Sequence, residues 1–262
     1  MGLSLAVITY NEEENIVRLL DSVANIVDEI IIVDSFSTDE TKEICIQSYP
    51  QVKFFEKKFN GYGEQKNYAL DLCTQDWILF LDADEIPNEI LKNSIQKVVA
   101  SENSEFNIYK AKFNNHIGNH QIKYGGWGNV SRERLFKKGS ARYSDDKVHE
   151  FLITKEKPAF LDGKIDHYTY KNIHHHVMKI NKYSDLMAEK MFEKGKKTSF
   201  LKIFVSPIFE FWKVFIFKGG SLDGIYGFYI ASTMSYYTLL KYMKLYELND
   251  RSRSSTSLRS DI

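Results

Sequence analysis

The chain has 262 residues, enough for one sizeable domain or two small ones, and 43% are apolar, as in a globular protein with a buried core. Its 35 basic side chains balance 35 acidic ones, so no cationic excess supports a nucleic-acid partner. The opening MGLSLAVITYNEEEN does not read as a secretory signal, and Ala6 stands where N-myristoylation needs a hydroxyl. Two cysteines, Cys45 and Cys73, fall in helix-like stretches without neighbours at metal-ligand spacing and read as buried free thiols.

In chain order, Leu3 to Thr9 is an apolar run of strand length, and Glu13 to Ala24 follows as a helix with Ile16, Leu19, Leu20 and Val23 on one face. Glu29 to Val33 reads as a strand covered on both faces. A helix is expected over Thr38 to Ser48, a strand over Val52 to Phe55 and a helix over Glu64 to Cys73. Trp77 to Leu81 is a fourth strand, ended by Asp82-Ala83-Asp84-Glu85, and Pro87 with Asn88 opens a helix to Ala100. Phe106 to Phe113, Arg132 to Phe136 and Ala159 to Tyr170 read as strands of an antiparallel extension. From Ile173 to Leu248 the pattern is helical, with Val177, Ile180, Met187 and Met191 marking one face of the first helix.

Strand–helix alternation of this kind gives an α/β fold with a parallel sheet between helices. Ligands of such sheets bind beyond the carboxyl ends of the strands. The polar loops at Asn11–Glu14, Asp34–Asp39 and Asp82–Glu85 each follow a strand end, so they are expected to converge. Asp82 and Asp84 are spaced to share one side, with Ala83 opposite. Two such carboxylates repel unless a cation sits between them, and Mg²⁺ or Mn²⁺ shared with phosphate oxygens would suit the pair. A solvated acidic turn is the alternative.

The ordered segments ITYNEEENI, IIIVDSFSTDET, GYGEQKNYAL and WILFLDADE resemble family 2 glycosyltransferases of the GT-A fold. RERLFKK, KVHEF and KGGSLDGIYGFYIA are similar to the bacterial subgroup that builds the lipopolysaccharide core, including its β-1,4-glucosyltransferases. The resemblance implies a catalytic domain over 1–172, whose 1–105 half binds a nucleotide-sugar and whose 106–172 half faces the acceptor. A helical extension over 173–250 and a disordered tail over 251–262 follow. Thr9, Tyr10, Asn11, Glu13 and Asp34 are implied at the nucleoside, Asp34 on a uracil base. Lys66 is implied near the diphosphate, Asp82 and Ala83 at the ribose or metal, and Asp84 on the metal. His149 is a further candidate metal ligand. The implied reaction is an inverting displacement in which Glu150, or else Asp145 or Asp146, takes the proton of the acceptor hydroxyl.

His174-His175-His176 reads as a helix start rather than a metal site, because consecutive residues diverge around a helix. Trp127, among glycines, is either an acceptor-stacking residue or a loop anchor, and Arg132 and Arg134 either meet phosphate or lie exposed on a strand. Phe200 to Lys218 is apolar and aromatic with interspersed charge, which suits a helix lying in a membrane interface. Gly224 to Leu240 is uncharged but rich in Tyr, Ser and Thr, which argues against full insertion; Lys241 and Lys244 stand ready for anionic head groups. A water-soluble subdomain or a homo-oligomer interface is the alternative. The expected partners are therefore a UDP-type donor, a lipid-linked glycan and the inner face of a bacterial cytoplasmic membrane. A polyprenyl-phosphate glycosyl synthase and a non-catalytic nucleotide-sugar-binding module are the competing readings.

Overall fold

The computed structural model describes residues 1–102, 104–128, 130–144 and 151–260, with side chains as far as residue 252. Strand β1 (Leu3–Thr9) lies at the centre of a parallel half-sheet. It pairs on one side with β2 (Glu29–Asp34), which pairs in turn with β3 (Val52–Glu56). On its other side it pairs with β4 (Trp77–Phe80). β2 and β4 are buried along their whole lengths, which explains their unbroken apolar runs. Helices α1 (Glu13–Val23), α2 (Thr41–Ser48) and α3 (Tyr62–Leu72) make the crossovers. In α1 the buried residues are the four expected ones, Ile16, Leu19, Leu20 and Val23. Cys45 and Cys73 are buried and free, and burial pushes both thiols up to about 12.

β5 (Glu85–Pro87) precedes α4 (Glu89–Ala100), whose N-terminus is capped by the Asn88 side chain accepting from Leu91 N at 2.9 Å. Pro87 therefore belongs to a strand rather than to the helix start, and it sits at the last strand of the sheet, where a missing N–H is tolerated. β6 (Ile108–Ile117), β7 (His120–Ile122), β8 (Ser131–Lys137), β9 (Arg142–Tyr143), β10 (Leu152–Ile153) and β11 (Ala159–Tyr170) supply the rest. The order is β3-β2-β1-β4-β8-β6-β11-β5, with β7 attached to β6 and β9–β10 forming a separate ladder. β8 is antiparallel to both β4 and β6, as the expected extension requires. The fold is thus α/β, with helices flanking a mixed sheet and further helices at the C-terminus.

The chain divides into two compact units, one made of 1–114 and 130–167, the other of 115–129 and 168–262. Residues 115–129 join the helical unit because Ile117 and Ile122 share a core with Val214, Ile230 and Ala231. Trp127 is an anchor of that core, near the rings of Tyr170 and His176 at 5.7 Å each. The helices of this unit are α5 (Ile173–Glu193), α6 (Phe200–Trp212) and α7 (Gly224–Ser260), with a π turn and a 3-10 turn between α6 and α7.

The buried face of α5 is His176, Ile180, Ser184 and Ala188, one residue away from the face expected through Val177. Its polar members are accepted because they are bonded: His176 Nδ1 to Tyr229 OH at 2.8 Å, and Ser184 Oγ to Asn181 O at 2.6 Å. Burial, with His175 and Lys179 nearby, holds the His176 imidazole down at about 4. Lys244 is tied to Asp185 at 2.6 Å and Lys241 lies over the Tyr237 and Tyr242 rings, so neither is the free lipid contact expected. The backbone of α7 is helical through Ser260. Among the described residues no helix is long and apolar enough to cross a membrane.

Candidate active site

The first part of the site grows from the parallel ends of β1 and β2. Thr9 and Asp34 are register partners, and Thr9 Oγ1 donates to Asp34 Oδ1 at 2.8 Å. Ser37 donates to the same carboxylate through its N at 2.7 Å and its Oγ at 2.6 Å. The loop after β1 is stitched to the loop after β2. Asn11 N donates to Ser37 Oγ at 2.8 Å, and Asn11 Oδ1 accepts from Thr38 N at 2.8 Å. Glu13 Oε2 accepts from Glu40 N at 3.0 Å. Thr9, Asn11, Glu13 and Asp34 are therefore brought together as expected. Tyr10 is on the same rim with its ring exposed. Asn11 and Phe36, at φ 56° and 60°, are the described non-glycine residues with positive φ.

The second part follows β4 at the same edge, where Leu81 N still bonds Ala6 O at 3.1 Å. Ala83 turns into the core, and Asp82 and Asp84 stay partly exposed. The two carboxylates have different nearest partners, however. Asp82 lies 3.6 Å from Lys66 Nζ and 3.3 Å from Arg134 Nη2. Arg134 also forks onto Glu85, from Nε at 2.7 Å and from Nη2 at 2.6 Å. The cation expected between the aspartates is supplied, for Asp82, by the protein itself. Lys66 is buried against Asp82, 5.0 Å from each of the Phe80 and Tyr143 rings. Burial would raise the Asp82 carboxyl, but Lys66, Arg134 and His167 outweigh it and hold it at about 2. Burial, with Asp82 beside it, pushes the Glu85 carboxyl up against the pull of Arg134.

Asp84 has a different partner. Its Oδ2 lies 3.4 Å from His167 Nε2. His167 stands opposite Glu85 in the β11–β5 register, with its ring edge on Phe113 at 5.7 Å. Burial works against its charged form, yet the bond to Asp84 and the charges of Glu85 and Asp82 raise its pKa above the ordinary value. Sequence reasoning missed His167, because only the pairing of two distant strands puts it beside Asp84. Arg134 owes its inward aim to a β-bulge: Tyr109 pairs Leu135 while Lys110 pairs Glu133, which leaves Arg134 as the extra residue.

The Asp84–His167 pair has donor chemistry that a divalent ion could use. Donors in neighbouring positions of an octahedral ion, at about 2.1 Å, stand roughly 3 Å apart, close to the separation seen here. A carboxylate oxygen and an imidazole nitrogen also suit Mn²⁺. No group of three or more His, Cys, Asp or Glu at metal-binding distance occurs among the described residues. Remaining positions on such an ion would fall to water and substrate oxygens. Asp145, Asp146, His149 and Glu150 lie outside the described residues.

Comparison with known proteins gives the same direction. Residues 4–151 match the profile of Glycosyl transferase family 2. A glycosyltransferase of Rickettsia typhi is 31% identical over 270 residues, covering 96% of this chain and 89% of the relative. The lipopolysaccharide core biosynthesis glycosyltransferase LpsC of Rhizobium meliloti is 31% identical over 257 residues, covering 94% of this chain and 93% of the relative. Among solved structures, glucosyl-3-phosphoglycerate synthase from Mycobacterium tuberculosis, in complex with Mn²⁺, UDP and glucosyl-3-phosphoglycerate, overlaps with 24% identity and a TM-score of 0.37, over 43% of this chain and 44% of that one. S. aureus TarS overlaps with 28% identity and a TM-score of 0.36, over 46% of this chain and 23% of that one. A profile match across more than half of the sequence, with relatives aligned over nearly all of it, places this chain in glycosyltransferase family 2.

Proposed function

We propose that this family 2 enzyme is an inverting, metal-dependent transferase that moves a hexose from a UDP-hexose to a hydroxyl of a lipid-linked glycan at a membrane surface. The observation that carries the donor half is the Asp84–His167 pair, set beside the Asp82–Arg134–Lys66 cluster and at the same sheet edge as Asp34. Asp34 would accept the N–H of the base, with Thr9, Tyr10, Asn11 and Glu13 forming the surrounding loop. Asp82, fixed and ionised by two cations, would take ribose hydroxyls. Asp84 and His167 would hold Mn²⁺ or Mg²⁺, which when bound neutralises charge on the departing diphosphate. The acceptor oxygen bonds to the anomeric carbon as the bond to the diphosphate oxygen breaks, and Glu150, or Asp145 or Asp146, takes the hydroxyl proton. The name of the Rhizobium meliloti relative supports a lipopolysaccharide-core acceptor.

A thermal-shift screen tests the donor class, because a ligand that binds only the folded state raises stability by mass action. UDP-hexoses with Mn²⁺ are expected to raise the melting temperature more than GDP-, ADP- or CMP-sugars do. Equal shifts with every nucleotide-sugar, or none with any, would contradict the proposal.

The membrane half rests on α6 and the turns after it. Only Ile203 and Pro207 of this apolar helix are buried. Phe200, Leu201, Phe204 and Ile208 stand exposed, as do Phe217 and Ile225 beyond it. Lys202 and Lys218 are exposed beside them, and Glu210 is neutralised by Lys213 at 2.9 Å. An apolar ridge with exposed lysines beside it suits the boundary of an anionic leaflet, at the inner face of a bacterial cytoplasmic membrane. Wild-type protein is expected to sediment with phosphatidylglycerol vesicles. Phe204→Asp with Phe217→Asp should weaken that binding roughly a hundredfold, from the apolar area it removes. Sedimentation of the double variant equal to wild type would count against this surface.

A further inference from the structure

Two large aromatic side chains stand in the open where β1 and β2 end. Tyr10 is 58% exposed and Phe36 is 54% exposed. The backbone carries them side by side. Ser35 N donates to Thr9 O at 2.9 Å, and Asn11 N donates to Ser37 Oγ at 2.8 Å, so both ring-bearing residues lie between the same two links. Phe36 also holds φ at 60°, a left-handed conformation that a bulky residue adopts only with strain. Glycine or asparagine would occupy it more easily. The turn does not need the ring. It is held by Asp34, which accepts from Ser37 N and Ser37 Oγ at 2.7 and 2.6 Å. A strained side chain that is mostly exposed gains little from packing within its own fold, so a bound molecule is where its ring would find contact.

The carboxylate at the strand end next to the rings, Asp34, in register with Thr9, specifies that molecule. The Asp34 carboxylate accepts two hydrogen bonds at Oδ1, from Thr9 and Ser37, and one at Oδ2, from Ser37 N. A carboxylate has about four acceptor sites, which leaves Oδ2 room for one more donor. A flat heterocycle with an N–H edge satisfies both features at once: its edge reaches Asp34 while its face lies on an aromatic ring.

We propose that Phe36 determines donor affinity by stacking on the nucleobase whose N–H edge Asp34 accepts, with Tyr10 completing the aromatic rim. The proposal rests on the nucleotide-sugar reading above and adds a residue to it that strain, exposure and chain pairing single out. Base stacking on an aromatic ring has a face but no sequence code, so Phe36 sets how tightly the base is held, while Asp34 sets which base.

Calorimetry of UDP with Mn²⁺ on wild type, Phe36→Asn and Phe36→Gly tests it, alongside thermal unfolding of each. Both variants are expected to bind UDP about tenfold or more weakly. Phe36→Asn should melt no lower than wild type, because asparagine tolerates the left-handed region. Inorganic pyrophosphate with Mn²⁺, which has no base, should bind all three proteins alike. UDP affinity unchanged in both variants would overturn the stacking role. An equal loss for UDP and pyrophosphate would overturn it as well, since the ring would then act on loop geometry rather than on the base. Failure of wild type itself to bind UDP would instead sink the donor reading, and this inference with it.

Discussion

Asp84→Ala is expected to abolish sugar transfer, with kcat/KM falling by roughly three orders of magnitude or more. Asp84 is a carboxylate of the turn after β4 with no lysine or arginine partner among the described residues, whereas Asp82 is taken by Lys66 and Arg134, and Glu85 by Arg134. Its described partner is the His167 imidazole at 3.4 Å. Removing it leaves the core untouched, because Asp84 lies outside the buried apolar clusters. The variant should therefore unfold within about 1 kcal/mol of wild type, as surface changes usually do. His167→Ala should lose transfer in the same direction. Radiolabelled sugar transfer with the UDP-hexose identified by thermal shift, together with urea unfolding, separates the two effects. An Asp84→Ala enzyme with transfer within tenfold of wild type would mean that the diphosphate is stabilised elsewhere.

Arg134→Ala should produce the largest loss of stability of any single change in the site, about 3–5 kcal/mol by urea unfolding. The guanidinium is 6% exposed, and it makes both of its strong bonds to Glu85, which is 1% exposed. Its removal leaves a buried carboxylate that still accepts, in the turn, from Asp82 N at 3.3 Å. It also removes one of two cations from Asp82. The Phe113 ring, 5.4 Å from the guanidinium, loses a stacking partner too. Replacing both members, Arg134→Met with Glu85→Leu, should recover much of the loss, because no unpaired charge then remains at the Glu85 position. A cost below about 1 kcal/mol for Arg134→Ala would show that the cluster is hydrated rather than buried.

The parallel half of the fold was legible because its evidence is local. The runs of β1, β2 and β4 are continuously apolar, and each ends in polar residues. The rim formed by Thr9, Asn11, Glu13 and Asp34 follows from those ends alone. The acidic cluster was only half legible. Period-two spacing puts Asp82 and Asp84 on one side, and Ala83 does turn inward, but β4 ends at Phe80 and the turn sends the two carboxylates to different partners. His167 and Arg134 were illegible for a further reason. One depends on β11 pairing with β5, the other on a bulge in β8 that breaks the alternation equating Arg134 with exposed Arg132. The buried face of α5 was misplaced because His176 and Ser184 look like surface residues until Tyr229 and Asn181 satisfy them. Polar residues in a core are recognised by their partners, and partners are a property of the folded chain.

The central claim is that a divalent ion held by Asp84 and His167 links this protein to a nucleoside diphosphate. Electron paramagnetic resonance of Mn²⁺, titrated with protein in the presence of UDP, tests it most directly. Wild type is predicted to remove the free Mn²⁺ signal at stoichiometric protein, and both Asp84→Ala and His167→Ala to leave it in solution. Capture of Mn²⁺ by both variants as tightly as by wild type would contradict the account.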